Sequence, residues 1–191
     1  VPVHFTLTRG PYPGTLRPAL GPASLWGDSP SVALREGAFP KRHLGGSIGA
    51  QKGTPVQLTF TNKLPATHIL PVDVSNKAPM FGNFPDAAGK YGGSGYNAAS
   101  VHLHGGFVPW ISDGGPMAWF TPNGNFGPST ASTAGNIFKL LNPGLLTGQG
   151  EYYYPNAQSA RMMWYHDHAH DITRINAYSG IASVYITRDL F

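Results

Sequence analysis

Alternation of apolar and polar residues is clearest between residues 55 and 62, where Val56, Leu58 and Phe60 alternate with polar side chains. Because successive side chains of a strand point to opposite faces, this period of two predicts a strand with one buried face. Turn-forming residues bound the segment on both sides, Lys52-Gly53-Thr54 before it and Asn62-Lys63-Leu64-Pro65 after it. The segment is the best-defined strand that the sequence predicts.

Shorter apolar and aromatic runs recur between turn residues along the rest of the chain. They predict strands at 99–104, 151–155, 161–166 and 180–188, a possible strand at 137–141, and one or two helical turns within 169–178. Long stretches rich in Gly and other turn residues, 76–98 and 121–150, separate these elements, and the first fifty residues are also rich in Gly and Pro. With no internal repeat and no second core, the pattern predicts one all-β domain, a sandwich or barrel with long loops.

Composition narrows the function classes. Of the 191 residues, 41% are hydrophobic and 12% are charged, which is enough apolar material for a core. The formal net charge is +4, but apart from a Lys41-Arg42-His43 cluster the basic residues are scattered, whereas a nucleic-acid surface needs a concentrated basic stripe. No apolar stretch approaches the length of a membrane span. We therefore expect no nucleic-acid or membrane partner. The chain begins with Val1-Pro2, so we expect a processed or excised product.

Candidate chemistry lies in two His-x-His pairs, His102 with His104 and His166 with His168, in a chain without cysteine. Residues two apart in a strand share a face and lie about 6.6 Å apart along it. Two such strands side by side would bring four imidazoles together, a donor set that suits copper or zinc and disfavours calcium, magnesium or an iron–sulfur cluster. A single pair would mean little in a chain with eight histidines, since strand histidines are commonly structural, but here His170 even makes a third triplet with His168.

The residues around these pairs resemble the copper motifs of multicopper oxidases. The residues that resemble the first copper motif are His102-Leu103-His104-Gly105-Gly106, Ser112-Asp113-Gly114 and Ala118-Trp119-Phe120. Those that resemble the second are Trp164-Tyr165-His166-Asp167-His168. The resemblance extends to residues 25–27, 62–68, 154–156 and 173–180. It is strongest to the family branch that contains spore-coat laccases and bilirubin oxidases. The resemblance implies an N-terminal cupredoxin-like domain over residues 1–191, an all-β Greek-key β-sandwich with long loops and an extended N-terminal segment at 1–24.

The resemblance also implies copper as the cofactor and a role for each paired histidine. His102 resembles a ligand of the type 2 copper, His104 and His166 resemble ligands that share one type 3 copper, and His168 resembles a ligand of the other. In this family the three metals form a cluster that reduces dioxygen to water.

Asp113 resembles a carboxylate that hydrogen-bonds water on the type 2 copper and passes protons toward reduced oxygen. The structural alternative is a turn aspartate before Gly114 and Gly115, a common use of this residue.

The other candidates are expected to be structural. His170 stands where related enzymes usually have an apolar residue, and the turn predicted there would keep it from the metal. His68 matches the family outside its copper motifs, and two further histidines, His4 and His43, lie in loop-like sequence. The methionines are expected to fill core or loops, and Trp164 and Tyr165 to pack beneath the second pair.

In this family the type 1 copper is bound by a Cys, two His and an axial residue in the C-terminal domain, which also supplies the other four cluster histidines. Since this chain has no cysteine, the resemblance implies a C-terminal fragment as partner. It also implies dioxygen as a partner, and a small aromatic or metal-ion substrate that binds on the C-terminal fragment. It also implies an extracellular, cell-surface or spore-surface location. Two alternatives remain open: a stand-alone copper- or zinc-binding module without oxidase activity, and a non-catalytic structural domain with an empty half-site.

Overall fold

A computed structural model of the chain describes residues 2–14, 23–30, 44–72, 97–132 and 135–189. Within these ranges it contains ten strands, one α-helix and two short 3-10 helices, so the expected all-β class is confirmed. The strands are β1 (Val3–Gly14), β2 (Ala23–Pro30), β3 (Ile48–Gln51), β4 (Val56–Asn62), β5 (Val101–His104), β6 (Ala131–Ser132), β7 (Gly135–Asn136), β8 (Gln149–Tyr154), β9 (Arg161–Asp167) and β10 (Ala182–Arg188). The helix is α1 (Thr173–Tyr178), and the 3-10 helices are Trp110–Ser112 and Ile137–Leu140. The 41–43 cluster, Met80 and most of the 76–98 loop lie outside the described residues.

Two four-stranded mixed sheets form the body of the fold. The first has the order β2-β1-β4-β8, with β1 parallel to β4 and its other pairs antiparallel. The second has the order β3-β10-β9-β5, with β3 parallel to β10 and its other pairs antiparallel. Strands β6 and β7 form a small separate ladder.

The hydrophobic core lies between the two sheets. On β4, Val56, Leu58 and Phe60 are all buried, which confirms the alternation seen in the sequence. The Phe60 ring lies 5.8 Å from that of Tyr152 on β8 and 6.1 Å from that of Tyr165 on β9. Because β8 and β9 belong to different sheets, these contacts join the two layers into a sandwich.

The N-terminal region contains a strand that the sequence pattern did not predict. Strand β1 lies between β2 and β4 inside the first sheet, within the segment expected to be an extended N-terminal one. Its pairing with β4 ends at Arg9, so Pro11 and Pro13 pair only with β2. Proline lacks an N–H and is tolerated in a strand where one edge needs no ladder bond, so these prolines do not prevent β1 from joining the sheet.

The possible strand at 137–141 was wrong, because residues Ile137–Leu140 form a 3-10 helix. The side-chain oxygen of Asn136 accepts a hydrogen bond from the Phe138 N–H at 2.9 Å and caps this helix. Phe138 is buried whereas Leu140 is 77% exposed, so the apolar run does not lie along one buried strand face. The helical turn expected within 169–178 is confirmed by α1. No helix in the described ranges is long and apolar enough to cross a membrane.

Candidate metal centre

The register of β5 and β9 brings the two histidine pairs together. His102 lies directly opposite His166, and His104 lies opposite Trp164. Because Val101 and Leu103 of β5 are buried in the core, alternation places His102 and His104 on the outer face of the second sheet. Residues directly opposite each other in a ladder share a face, so His166 lies on that face too. The expected pairing of the two histidine strands is therefore observed.

Three imidazoles converge closely enough to share a metal ion. One ring nitrogen from each of His102, His104 and His166 lies within 4.8 Å of the others. Nδ1 of His104 is 3.4 Å from Nε2 of His166. Two nitrogens bound at about 2.0–2.1 Å to one tetrahedral ion are about 3.3–3.4 Å apart. The spacing of His104 and His166 thus fits two ligands of one ion.

Backbone carbonyls fix the protonation of two of these rings. Nδ1 of His102 donates to the carbonyl oxygen of Asp113 at 2.6 Å, and Nδ1 of His166 donates to that of Asp167 at 2.6 Å. Since the proton of a neutral imidazole is then on Nδ1, Nε2 carries the lone pair. Burial and, to a smaller extent, the neighbouring imidazoles lower the pKa of His166 to about 4, although the hydrogen bond to Asp167 opposes the shift. His166 is therefore neutral at pH 7, in the form that binds metals.

His168 lies beside these three residues but outside their group. Strand β9 ends at Asp167, so His168 follows the strand rather than continuing it. Its ring centroid is 5.1 Å from that of His102 and 5.5 Å from that of His166. Its Nδ1 is buried and has no hydrogen-bond partner among the described residues. Buried polar atoms are nearly always paired, so an unpartnered ring nitrogen at this position fits a site that an ion completes.

Asp113 reaches the site through its backbone. It follows the 3-10 helix Trp110–Ser112, and its carboxylate Oδ1 is 3.6 Å from Nδ1 of His102, with the side chain 49% exposed. The next residue, Gly114, has a φ of +65°, and a Cβ there would lie 1.7 Å from the carbonyl oxygen of Val101. Only glycine fits this close approach, which holds Asp113 against His102. The carbonyl makes the short contact, and the carboxylate remains half exposed beside it.

Trp164 packs against the second pair, as predicted, and it also lies against His104 of the first pair, which the sequence did not reveal. Its ring is stacked on His104, with centroids 5.1 Å apart, and on His166, with centroids 4.3 Å apart. Trp164 is 44% exposed, whereas Tyr165 is buried on the core side of β9. Of the two aromatic residues expected to pack beneath the pair, Trp164 therefore contacts the rings and Tyr165 contributes to the core. The contact of Trp164 with His104 follows from the register of β5 and β9, which sequence alone does not supply.

The remaining described histidines lie outside the three-nitrogen group. His170 lies in the turn after β9, with Nδ1 3.0 Å from the carboxylate of Asp171. His68 is buried, with Nε2 3.0 Å from Oδ1 of Asn176. His4 is exposed on β1 in the other sheet, and His43 lies outside the described residues.

Comparison with known proteins identifies relatives, although no family model matches the chain. The chain is 38% identical over 148 residues to multicopper oxidase LPR1 homolog 1 of Oryza sativa, a match that covers 76% of this chain and 20% of that protein. It is 33% identical over 171 residues to a laccase of Bacillus subtilis, covering 89% of this chain and 26% of the laccase. A bilirubin oxidase of Albifimbria verrucaria is 40% identical over 90 residues, or 47% of this chain and 12% of that enzyme. The chain thus spans about a quarter of the length of these relatives, or less.

Solved structures show the same fold. The crystal structure of a multi-copper oxidase from Pediococcus acidilactici matches with a TM-score of 0.55 at 18% identity, covering 100% of this chain and 29% of that one. One from Pseudomonas thermotolerans matches with a TM-score of 0.56 at 14% identity, covering 99% and 30%. The expected cupredoxin-like sandwich is thereby confirmed. The sequence matches show that this chain belongs to the multicopper oxidase family.

Proposed function

We propose that His102, His104, His166 and His168 supply half of the ligands of a three-copper cluster in a laccase-type multicopper oxidase. The remaining ligands and a cysteine-bound type 1 copper then belong to a C-terminal part outside this chain. The observation that carries the proposal is the 3.4 Å separation of His104 Nδ1 and His166 Nε2, with a nitrogen of His102 nearby.

The geometry also supports a division of the ligands among three ions. Nδ1 of His104 and Nε2 of His166 lie close enough to share one type 3 copper. His102 is oriented separately by the Asp113 carbonyl and is assigned to the type 2 copper. His168, with its unpartnered Nδ1, is assigned to the second type 3 copper. When bound, copper supplies the one-electron chemistry that reduces dioxygen to water.

The chain's own residues orient these donors and handle protons. The carbonyls of Asp113 and Asp167 hold a proton on Nδ1 of His102 and His166, so each Nε2 stays available as a donor. Trp164 covers one side of the His104 and His166 rings and restricts their rotation. The half-exposed Asp113 carboxylate, 3.6 Å from His102, can collect protons from solvent and pass them toward reduced oxygen.

Electrons must come from elsewhere, because a type 1 site needs a thiolate and the chain has no cysteine. We therefore assign the oxidation of a phenol-like or metal-ion donor to the C-terminal part, and we place the enzyme outside the cell or on its surface. Native mass spectrometry of the protein from its source, with copper analysis, tests this assignment. We expect a cysteine-containing segment or partner, several copper ions and a blue thiolate–copper absorption. A copper-free monomer without any cysteine-containing segment would refute it.

Titration of the purified chain with Cu(II) tests the ligands directly. Because each removes one of two facing nitrogens, His104→Ala and His166→Ala should each weaken binding by about tenfold or more. His4→Ala is the matched control, since His4 is exposed in the other sheet. Equal affinity of the wild type and both site variants would contradict the ligand assignment.

A stand-alone copper- or zinc-binding module is the second candidate, because three nitrogens already converge within this chain alone. That function predicts tight metal binding with no oxygen consumption, even after addition of any native partner and a phenolic donor. Oxygen uptake under those conditions would exclude it. A chain that binds no metal even beside its partner would instead be a structural domain.

A further inference from the structure

Asp167 lies between the two histidines of the second pair, and its side chain is fully buried on the core side of β9. Its Oδ1 accepts a hydrogen bond from the Ser100 N–H at 2.9 Å, and its Oδ2 accepts one from the Ala169 N–H at 3.0 Å. Ser100 lies two residues before His102, and Ala169 directly follows His168. A single carboxylate therefore bridges the two chain segments that carry the two histidine pairs.

The groups around this carboxylate are all hydrogen-bond donors, so they require a side chain that only accepts hydrogen bonds. In addition to the two backbone N–H groups, the Asn176 amide donates to Oδ2 at 3.0 Å, and Nη1 of Arg9 lies 3.6 Å from Oδ1. An ionised carboxylate satisfies donors on both oxygens, whereas an asparagine at 167 would direct its own N–H groups at one of the donors. A buried donor left unpaired destabilises its segment, so an amide cannot hold both segments.

Arg9 connects this carboxylate to the other sheet. Its guanidinium is buried, and its Nε and Nη2 donate to Asp28 at 2.9 and 3.2 Å. Arg9 and Asp28 lie directly opposite each other on β1 and β2, which belong to the first sheet, whereas Asp167 belongs to the second. This bidentate ion pair with Asp28 holds the Arg9 guanidinium in one orientation. The N-terminal strands thus supply a fixed positive charge next to the carboxylate that bridges the histidine segments.

We propose that Asp167 is a positioning residue: anchored by Arg9, it holds the His102–His104 and His166–His168 segments at the separation that metal binding requires. This inference rests on the proposed function, because it assumes that the paired histidines bind copper. Asp167 itself faces the core and acts through the backbone of its neighbours.

The test compares Asp167→Asn with the wild-type full chain by two measurements. In the metal-free protein, amide hydrogen exchange at Ser100 and Ala169 should become at least about tenfold faster at one or both positions, because one donor loses its acceptor. The affinity for Cu(II) should fall by about tenfold or more. Asp167→Glu, which keeps the carboxylate, should recover part of the affinity.

Glu151→Gln is the matched control, because Glu151 is also a buried carboxyl but lies on β8 in the first sheet, where it accepts from the Thr59 hydroxyl. It should keep wild-type copper affinity. An equal loss of affinity in Glu151→Gln and Asp167→Asn would show general destabilisation and overturn the positioning role. Should Asp167→Asn fail to fold, Arg9→Lys decides instead. The single ammonium group of lysine cannot hold both carboxylates. Wild-type copper affinity and wild-type amide protection in Arg9→Lys would therefore overturn the role of Arg9 in anchoring Asp167.

Different outcomes would contradict the positioning role of Asp167 and the copper-binding role of the histidines. Wild-type copper affinity and exchange rates in Asp167→Asn would overturn the positioning role and leave the proposed function standing. Failure of the wild type to bind copper would overturn the proposed function, and the exchange rates at Ser100 and Ala169 would still report whether Asp167 bridges the two segments.

Discussion

Nδ1 of His104 lies 3.4 Å from Nε2 of His166, although 62 positions separate the two residues in the chain. The antiparallel register of β5 and β9 creates this relationship, since His166 faces His102 and Trp164 faces His104. The two nitrogens therefore meet diagonally across the ladder, with the indole of Trp164 against both rings. Because Nδ1 of His166 is engaged by a carbonyl, its Nε2 carries a lone pair directed at its neighbour's ring.

Replacement of Trp164 should change metal binding more than stability. In Trp164→Leu the rings of His104 and His166 lose their stacking partner and gain rotational freedom, so the affinity for Cu(II) should fall several-fold. The free energy of unfolding should change by less than about 1 kcal/mol, because the indole is half exposed. Isothermal titration and urea unfolding measure the two quantities.

Two variants control this experiment. Trp164→Phe keeps an aromatic face and should retain most of the affinity. Met162→Leu changes another exposed residue of β9 and should bind as the wild type does. If Trp164→Leu also binds like the wild type, the stacking has no part in holding the ligands.

Loss of the buried Arg9 charge should strongly destabilise the fold. Arg9→Met leaves the carboxylates of Asp28 and Asp167 without their counter-charge, and breaking a buried pair in this way typically costs about 3–5 kcal/mol. Urea unfolding measures the loss. Lys52→Met is the comparison, because it breaks an exposed ion pair: the side chains of Lys52 and Asp189 are 45% and 52% exposed. This variant should lower the free energy of unfolding by only about 0–1 kcal/mol. Equal losses in the two variants would show that burial adds nothing to the Arg9 pairs.

The pH dependence of stability should include a contribution from His68. Burial lowers the pKa of this imidazole, and its hydrogen bonds to Asn176 and to the Leu70 N–H oppose the shift. The unfolded chain, with a His pKa of about 6.5, then binds more protons than the folded chain at slightly acid pH. The stability that neutral His68 provides is complete above about pH 6.5 and is lost as the pH falls from there through the lowered folded pKa.

Comparison of the wild type with His68→Gln isolates this contribution. Glutamine cannot titrate but can still donate to Asn176, so the loss of stability between about pH 7.5 and pH 5 should be smaller in the variant. Other shifted groups, such as Asp167 with its pKa raised by burial to about 6, are present in both proteins and cancel in the difference. Identical pH profiles would show that His68 does not contribute.

Replacement by alanine should change stability differently at the two adjacent glycines that follow Asp113. At Gly114 the backbone is left-handed and a Cβ would overlap the Val101 carbonyl. The left-handed conformation alone costs roughly 1–2 kcal/mol for alanine, and the overlap must add to this. A Cβ at Gly115 would meet nothing within 4 Å, so Gly115→Ala should change stability by no more than about 0.5 kcal/mol. Thermal unfolding of both variants measures the difference, and equal midpoints would contradict the close approach of this turn to β5.

Local patterns explain which parts of the fold were predictable. The alternation of Val56, Leu58 and Phe60 predicted β4 because burial on one sheet face repeats every two residues. The turn-forming residues within β1 concealed this strand, since Pro11 and Pro13 are acceptable there only because β4 does not extend alongside them. The run at 137–141 was apolar enough for a strand, but the Asn136 cap and the lack of a continuous buried face favoured a 3-10 helix.

By itself, the sequence determined that two His-x-His segments without cysteine would present imidazole donors, and the residues around them indicated the family. These are properties of consecutive residues, which strand alternation and motif spacing describe. Only the tertiary structure decided that His104 and His166 meet diagonally across the ladder, that Trp164 stacks on both and that His168 lies beyond the end of its strand. It also decided that Asp167 bridges the two pairs with Arg9 behind it. Each of these contacts depends on strand register, and a slip of one residue would turn every side chain of β9 to the opposite face.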